Sequence, residues 1–202
     1  MLLSPLLKTS ADLWIKQVEY EKSQLLISEA ERALELIGRA IRMAGYQNVK
    51  SIAQISSKKK VSPVIEIQKN SGYQGSDSLF VRHELSDGID FDCIGNVVTI
   101  DRTKNNLALQ GFLVERQAGL TKSTKLSKGA NLDGGSLKCQ SLDRQGRKQN
   151  TTLMDGVSAL KIEELNHPSA LGQKAFRVRL TMTDGVYLQK EFSRTFTTRN
   201  LR

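Results

Sequence analysis

The chain has 202 residues and a formal net charge of +9, from 30 Lys and Arg against 21 Asp and Glu. This length suffices for one domain with its own core, or one domain with an appendage. Apolar residues make up 39% and aromatic residues 5%, which indicates that much of the chain lies in solvated loops or on an extended element. The surplus of cations favours attraction to an acidic partner, such as nucleic acid, anionic lipid or an acidic protein face, or a plain soluble surface.

Catalytic and metal-binding motifs are missing from the sequence. It contains no GxSxG, no HExxH and no Walker-type glycine loop. Asp87, Asp90 and Asp92 do not follow the spacing of an EF-hand. His83 and His167, with two cysteines, do not form a zinc-ligand pattern. We therefore expect no catalytic site, no metal and no cofactor, and a protein that is not an enzyme.

The two cysteines, Cys93 and Cys139, lie far apart and neither belongs to a CxxC motif. One pair in a basic, loop-rich chain favours a disulfide and an oxidising compartment. The alternative is two unrelated reduced thiols, which are common in buried positions.

Residues 1–9 are apolar but too short to cross a bilayer. They also lack the basic start and the cleavage box of a signal peptide. We interpret them as the remnant of a longer apolar segment that would precede this chain, with no transmembrane segment in the sequence itself.

Residues 10–45 are predicted to form an amphipathic helix. Ser10 and Asp12 are candidate caps at its start, Glu35 and Arg39 form an i,i+4 pair, and Gly45 is a natural stop. Its second half carries a continuous apolar stripe, which we expect to pack on a sheet: Leu26, Ala30, Ala33, Ile37, Ala40, Ile41 and Ala44. Apolar residues are sparser before Leu26, so we expect the first half to project.

Residues 46–202 are predicted to form a β-rich head with long loops. A polar excursion over 46–76, which includes the run Lys58–Lys60, holds one short strand candidate at 64–67. Further strand candidates follow at 78–83, 106–115, 135–141, 157–165, 175–182 and 187–198, and their turns are typical of an antiparallel meander. The expected fold class is α+β.

Basic residues on the last strands could line one surface. They are Arg177, Arg179, Lys190, Arg194 and Arg199. Nucleic-acid modules usually interleave such cations with aromatic residues for stacking. Phe192 and Phe196 are better explained as core residues, so an ordinary soluble face is the favoured interpretation.

Several motifs, in order along the chain, resemble PilW-type minor type IV pilins. The helix ends in ALELIGRAIRMAGY over 33–46, which is similar to the end of the family's N-terminal helix. GSDSLFVR at 75–82, DCIG at 92–95, LKC at 137–139, LMDGV at 153–157 and FSRTFTTRN at 192–200 resemble its later motifs. The resemblance covers most of the chain from Ala33 to Asn200.

This resemblance implies a type IV pilin-like fold, in which a long N-terminal α-helix packs on an antiparallel β-sheet head. It pairs Cys93 with Cys139. It also implies an apolar N-terminal helix half that anchors the subunit in the inner membrane, with a periplasmic head, before the subunit enters an extracellular pilus. The expected partners are other minor pilins and the major pilin, and the expected role is to initiate the pilus and form part of its tip complex.

Two other functions share these features. A minor pseudopilin of a type II secretion system would have the same head architecture. A pilin that binds DNA during DNA uptake would account for the net charge, and nucleic acid would then be a partner.

Overall fold

The computed structural model describes residues 3–47, 63–103, 107–117, 134–165, 173–185 and 188–200. In these ranges one helix, α1 (Leu3–Met43), packs on an antiparallel sheet, which confirms the α+β class. The strands are β1 (Ile65–Gln68), β2 (Ser78–Glu84), β3 (Ile89–Phe91), β4 (Val97–Thr99), β5 (Leu107–Arg116), β6 (Gly135–Leu142), β7 (Lys148–Leu165), β8 (Ala175–Thr183) and β9 (Gln189–Thr197).

The main sheet has seven strands among the described residues, in the order β1-β2-β5-β6-β7-β8-β9, and each neighbouring pair is antiparallel. All strands that the sequence predicts are present in it. Strands β3 and β4 form a separate two-stranded hairpin, inserted between β2 and β5, which the sequence analysis does not predict. The lysine run Lys58–Lys60 lies outside the described residues.

Helix α1 begins at Leu3, seven residues before the predicted start at residue 10. Ser10 and Asp12 therefore lie inside the helix and do not cap it. Nothing between Leu3 and Ser10 interrupts a helix, because Pro5 stands in the first turn, where a backbone N–H has no helical acceptor anyway. The chain leaves the helix at Gly45, whose φ of 73° suits glycine, and its N–H donates to the carbonyl of Arg82 in β2.

The second half of α1 covers the inner face of the sheet. All seven residues of the predicted stripe, from Leu26 to Ala44, are buried. They share one core with inward-facing residues of the strands, among them Leu79, Phe112, Val178 and Leu180. Alanines recur in this stripe, so the helix backbone lies close to the sheet.

Gly38 is a point of close approach between α1 and the sheet. A Cβ atom built on it would overlap the ring of Phe196 in β9. The same ring lies 5.9 Å from the guanidinium of Arg42, one helical turn later. The glycine is thus required by packing, and the periodicity of the sequence does not reveal it.

Gly38→Ala should lower the free energy of unfolding by about 1–3 kcal/mol, because an added methyl group in a packed core forces the ring or the helix to move. Alanine has a higher helix propensity than glycine, so propensity alone would raise the free energy of unfolding. A decrease would show that the packing against Phe196 outweighs propensity. Urea unfolding measures it. The double variant Gly38→Ala with Phe196→Leu should recover part of the loss, and a stabilised Gly38→Ala protein would contradict the close packing.

Asp77 links the start of β2 to the middle of β7, beyond the region where β6 pairs with β7. Its carboxylate accepts hydrogen bonds from the backbone N–H groups of Asn70 (3.0 Å) and Ile162 (2.9 Å) and from the ammonium of Lys69 (3.1 Å). Its own N–H donates to the carbonyl of Leu160 at 2.7 Å. The sheet therefore curls at this point. The buried carboxylate accepts a hydrogen bond from a backbone N–H on the part of the β7 edge that β6 does not cover.

The pKa of Asp77 lies below its ordinary value. Burial, the largest single influence, raises this pKa, but the hydrogen bonds from Ile162, Asn70 and Lys69 together with the Lys69 charge outweigh it. The folded-state pKa is thus lower than the unfolded one, so the ionised carboxylate stabilises the fold above about pH 3.9. That stabilisation is lost as the pH falls through the folded-state pKa.

Asp77→Asn should lower the free energy of unfolding at pH 7 by about 1.5–3 kcal/mol, the range for hydrogen bonds to charged groups. Its stability should also decline less steeply than that of the original protein as the pH is lowered below about 4. Urea unfolding at a series of pH values tests both. If the free energy of unfolding fell with pH equally steeply in the two proteins, this role of Asp77 would be contradicted.

Candidate functional site

The first half of α1 exposes a set of large apolar side chains. From Lys8 to Leu25 almost every residue is exposed, including Leu13, Trp14, Ile15, Val18, Tyr20 and Leu25. Trp14 retains 69% of its accessible surface. Exposed large apolar side chains concentrated on one helical segment are typical of an interaction site. We refer to these six residues as the helix patch.

A groove runs between the helix patch and the end of the β8–β9 hairpin. It has a volume of about 570 Å³, and its lining includes Trp14, Ile15, Val18 and Leu188. The ammonium of Lys22 lies 3.7 Å from the carboxylate of Asp184 at the rim of this groove. Its described lining offers apolar contact, one ion pair and the carboxylate of Glu19.

A disulfide joins Cys93 to Cys139, which confirms the expected pairing. The two Cα atoms are 6.0 Å apart and both residues are buried. Cys139 lies on β6, whereas Cys93 lies in the turn between β3 and β4. The bond therefore fastens the β3–β4 hairpin to the inner face of the main sheet.

A buried polar contact fastens the same hairpin to β2. The Nε2 atom of His83 lies 2.9 Å from Oδ2 of Asp90, and both residues are buried. Burial, the largest influence, raises the pKa of Asp90, but the hydrogen bonds from His83 and the Phe91 N–H, with the charges of His83 and Arg39, bring it below its ordinary value. Asp92 caps the hairpin turn by accepting the N–H groups of Ile94 and Asn96. Both aspartates thus have structural roles.

Sequence reasoning missed this hairpin, although a signal for it exists. The apolar Ile89 and Phe91 alternate with Asp90 in β3, whereas β4, with Val97, Val98 and Thr99, shows no such alternation. The period of two is typical of strands. Each strand has only three residues, so the alternation is short and easily overlooked.

The five basic residues of the predicted surface do not form one stripe. Arg177 and Arg179 lie on the outer face of β8, each 3.8 Å from Glu163 on β7. Lys190 and Arg194 lie on the face towards the helix, where Lys190 donates to Ser23. Arg199 is exposed beyond β9.

Arg194 forms ion pairs with two carboxylates of α1, at 3.3 Å from Glu31 and 3.8 Å from Glu35. Glu35 also pairs with Arg42 at 2.6 Å, in place of the predicted partner Arg39. Neighbouring carboxylates thus offset most of the charge of the strand cations. This arrangement does not favour the binding of a nucleic-acid backbone along the last strands.

Among the described residues, no three His, Cys, Asp or Glu side chains come together as metal ligands. Within the same residues, α1 lacks a stretch that is both apolar and extended enough to traverse a bilayer.

Comparison with known proteins gave no match to the chain among protein-family models, curated proteins or solved structures.

Proposed function

We propose that this chain is a minor pilin of the PilW type, a structural subunit that helps to initiate a type IV pilus and to form its tip complex. On this proposal it adopts a type IV pilin-like fold, is held in the inner membrane with a periplasmic head before assembly, and acts by binding the major pilin and other minor pilins. It needs no catalytic site and no cofactor for this work.

The observation that carries the proposal is the division of α1 into two halves. The half from Leu26 to Ala44 is buried by its own sheet. The half before it exposes the helix patch. The whole of α1 has 41 residues and extends over about 60 Å. A protein that acted alone would gain nothing from presenting Trp14 and Ile15 to water. A filament subunit would bury such residues against the helices of its neighbours.

The rigid attachment of the helix to the head fits this role. The stripe is buried against the sheet, and Arg194 of β9 forms ion pairs with Glu31 and Glu35 of the helix. A filament requires that each subunit hold its head at a fixed angle to the packed helices. Fastening the head at several points along the second half of α1 supplies that constraint.

The test uses the full natural gene in the source organism, from which the chromosomal copy has been deleted. Deletion should abolish or strongly reduce surface pili, counted by electron microscopy of sheared filaments, and the original gene should restore them. Ile15→Asp should fail to restore them at a normal protein level, because a charge then enters the helix contact. Lys16→Asp, on the adjacent exposed residue, is the matched control and should restore pili.

Three results would contradict the proposal. One is a normal number of pili in the deletion strain. Another is full restoration by Ile15→Asp with Trp14→Asp in the same chain. The third is a loss of protein secretion with intact pili, which would assign the chain to a secretion system instead.

A further inference from the structure

The β3–β4 hairpin presents a second exposed apolar surface, remote in sequence from the helix patch. Ile89 and Phe91 point to the same side of β3, and Phe91 pairs with Val97 of β4. These three side chains are between 44% and 55% exposed. Ile94 in the turn and Ile100 after β4 are exposed as well. Among the described residues, these five are all the exposed large hydrophobic side chains that lie outside α1.

The hairpin is held firmly from its inner side. Its inner residue Val98 is buried with Leu85 and Ala108. The disulfide of Cys93 and the contact between His83 and Asp90 fasten it further. Because the inner face is so well fixed, the outer face is a preformed surface, and a partner would lose little conformational entropy in ordering it.

Side chains already occupy part of the open edges of the hairpin. The carbonyl of Phe91 accepts a hydrogen bond from Gln110 at 2.9 Å, and its N–H donates to Asp90 at 2.7 Å. On the other strand the carbonyl of Val97 accepts one from Arg102 at 2.6 Å. Addition of an extended strand would need these backbone groups. Strand addition would have to displace these contacts, whereas docking on the apolar outer face would not.

The charge of this segment is opposite to that of the whole chain. Residues 84–102 contain Glu84, Asp87, Asp90, Asp92 and Asp101 but only one basic residue, Arg102, in a chain of net charge +9. Asp87 and Asp101 flank the same end of the hairpin, beside Ile89 and Ile100. Both are exposed, and neither forms an ion pair within the described part of the chain. An anionic membrane or a nucleic acid would be repelled here, whereas cationic side chains would be attracted.

We propose that the outer face of the β3–β4 hairpin docks a second protein, one that presents an apolar face flanked by lysine or arginine. Phe91 is the central apolar contact, because it lies between Ile89 and Val97. Asp87 and Asp101 select the charge of the partner. This inference does not depend on the chain being a pilin, since it uses only the hairpin and its charges.

The test uses the oxidised chain and two synthetic amphipathic helices of about 18 residues, five turns each. One peptide is built from Leu and Lys, the other from Leu and Glu. Calorimetry at low salt should show about tenfold tighter binding of the lysine peptide. Amide hydrogen exchange of the complex should show protection in residues 86–102.

Variants of the chain then show which residues contact the peptide. Phe91→Ser should weaken binding of the lysine peptide about tenfold, as expected for a central contact, and Val97→Ser should act in the same direction. Asp87→Asn combined with Asp101→Asn should reduce the preference for lysine over glutamate. The control Ile15→Ser lies in the helix patch and should leave protection of the hairpin unchanged. All these residues are exposed, and equal unfolding midpoints would verify that the fold is intact.

Four outcomes would overturn the proposal. The first is unchanged binding in Phe91→Ser, and the second is equal binding of the two peptides. The third is binding of the hairpin to phosphatidylglycerol vesicles, which would identify a lipid surface. The fourth is self-association of the chain that Phe91→Ser removes, which would make a second copy the partner.

Discussion

Ile37→Asp should lower the free energy of unfolding by about 4 kcal/mol or more. The side chain of Ile37 is fully buried between α1 and the sheet. Aspartate there removes the apolar contact, at a cost of about 2–5 kcal/mol for an isoleucine, and adds a carboxylate without a partner in a region of low polarity. Typical domains have only about 5–15 kcal/mol of stability, so the variant should be close to unfolding at 37 °C.

Ile15→Asp is the matched control, since it makes the same substitution in the same helix. Ile15 is exposed on the helix patch, and surface substitutions usually change stability by about 0.5 kcal/mol or less. Urea unfolding followed by circular dichroism compares the two variants with the original protein. Equal midpoints for Ile37→Asp and Ile15→Asp would show that the stripe does not pack on the sheet.

Removal of the disulfide by Cys93→Ala with Cys139→Ala should lower the free energy of unfolding by about 4 kcal/mol. The bond closes a loop of sequence separation 46, and the chain-entropy relation for a loop of this size gives about that value. The physical reason is that the bond reduces the number of unfolded conformations. Alanine keeps both positions apolar, so little of the change should come from lost burial.

Reductant provides the control for this prediction. It should lower the urea midpoint of the original protein towards that of the double variant, and leave the double variant unchanged. Amide exchange should increase most in the β3–β4 hairpin, because Cys93 lies in its turn. An original protein whose midpoint does not respond to reductant would show that the bond adds no stability.

The sequence identified α1 and most of the main sheet because their signals are local. A stripe at steps of three and four residues from Leu26 to Ala44 marks the buried face of a helix. Alternation from Phe176 to Met182 marks a strand with one buried side, and those alternate residues are buried in the structure. Both patterns depend on neighbours within a few positions, which a single sequence displays.

The sequence placed the start of the helix too late. A polar residue such as Ser10 is a good cap only if the preceding backbone leaves the helix. Here the preceding residues continue as helix from Leu3, so the same side chain lies on a helical turn. Cap residues are also common on exposed helix faces, and the pattern alone does not separate the two cases.

The sequence alone thus determined the α+β class, the apolar face of α1 and the strands of the main sheet, since hydrophobic periodicity is a local property. Only the tertiary structure revealed the contact of Gly38 with Phe196, the bridge from Asp77 to Ile162 and the separation of Arg177 from Arg194 on opposite faces of the sheet. Each of these depends on how elements distant in the chain are packed or paired: the helix on β9, the start of β2 on β7, and the register of β8 with β9. Pairwise contacts over such separations leave no repeating pattern in one sequence.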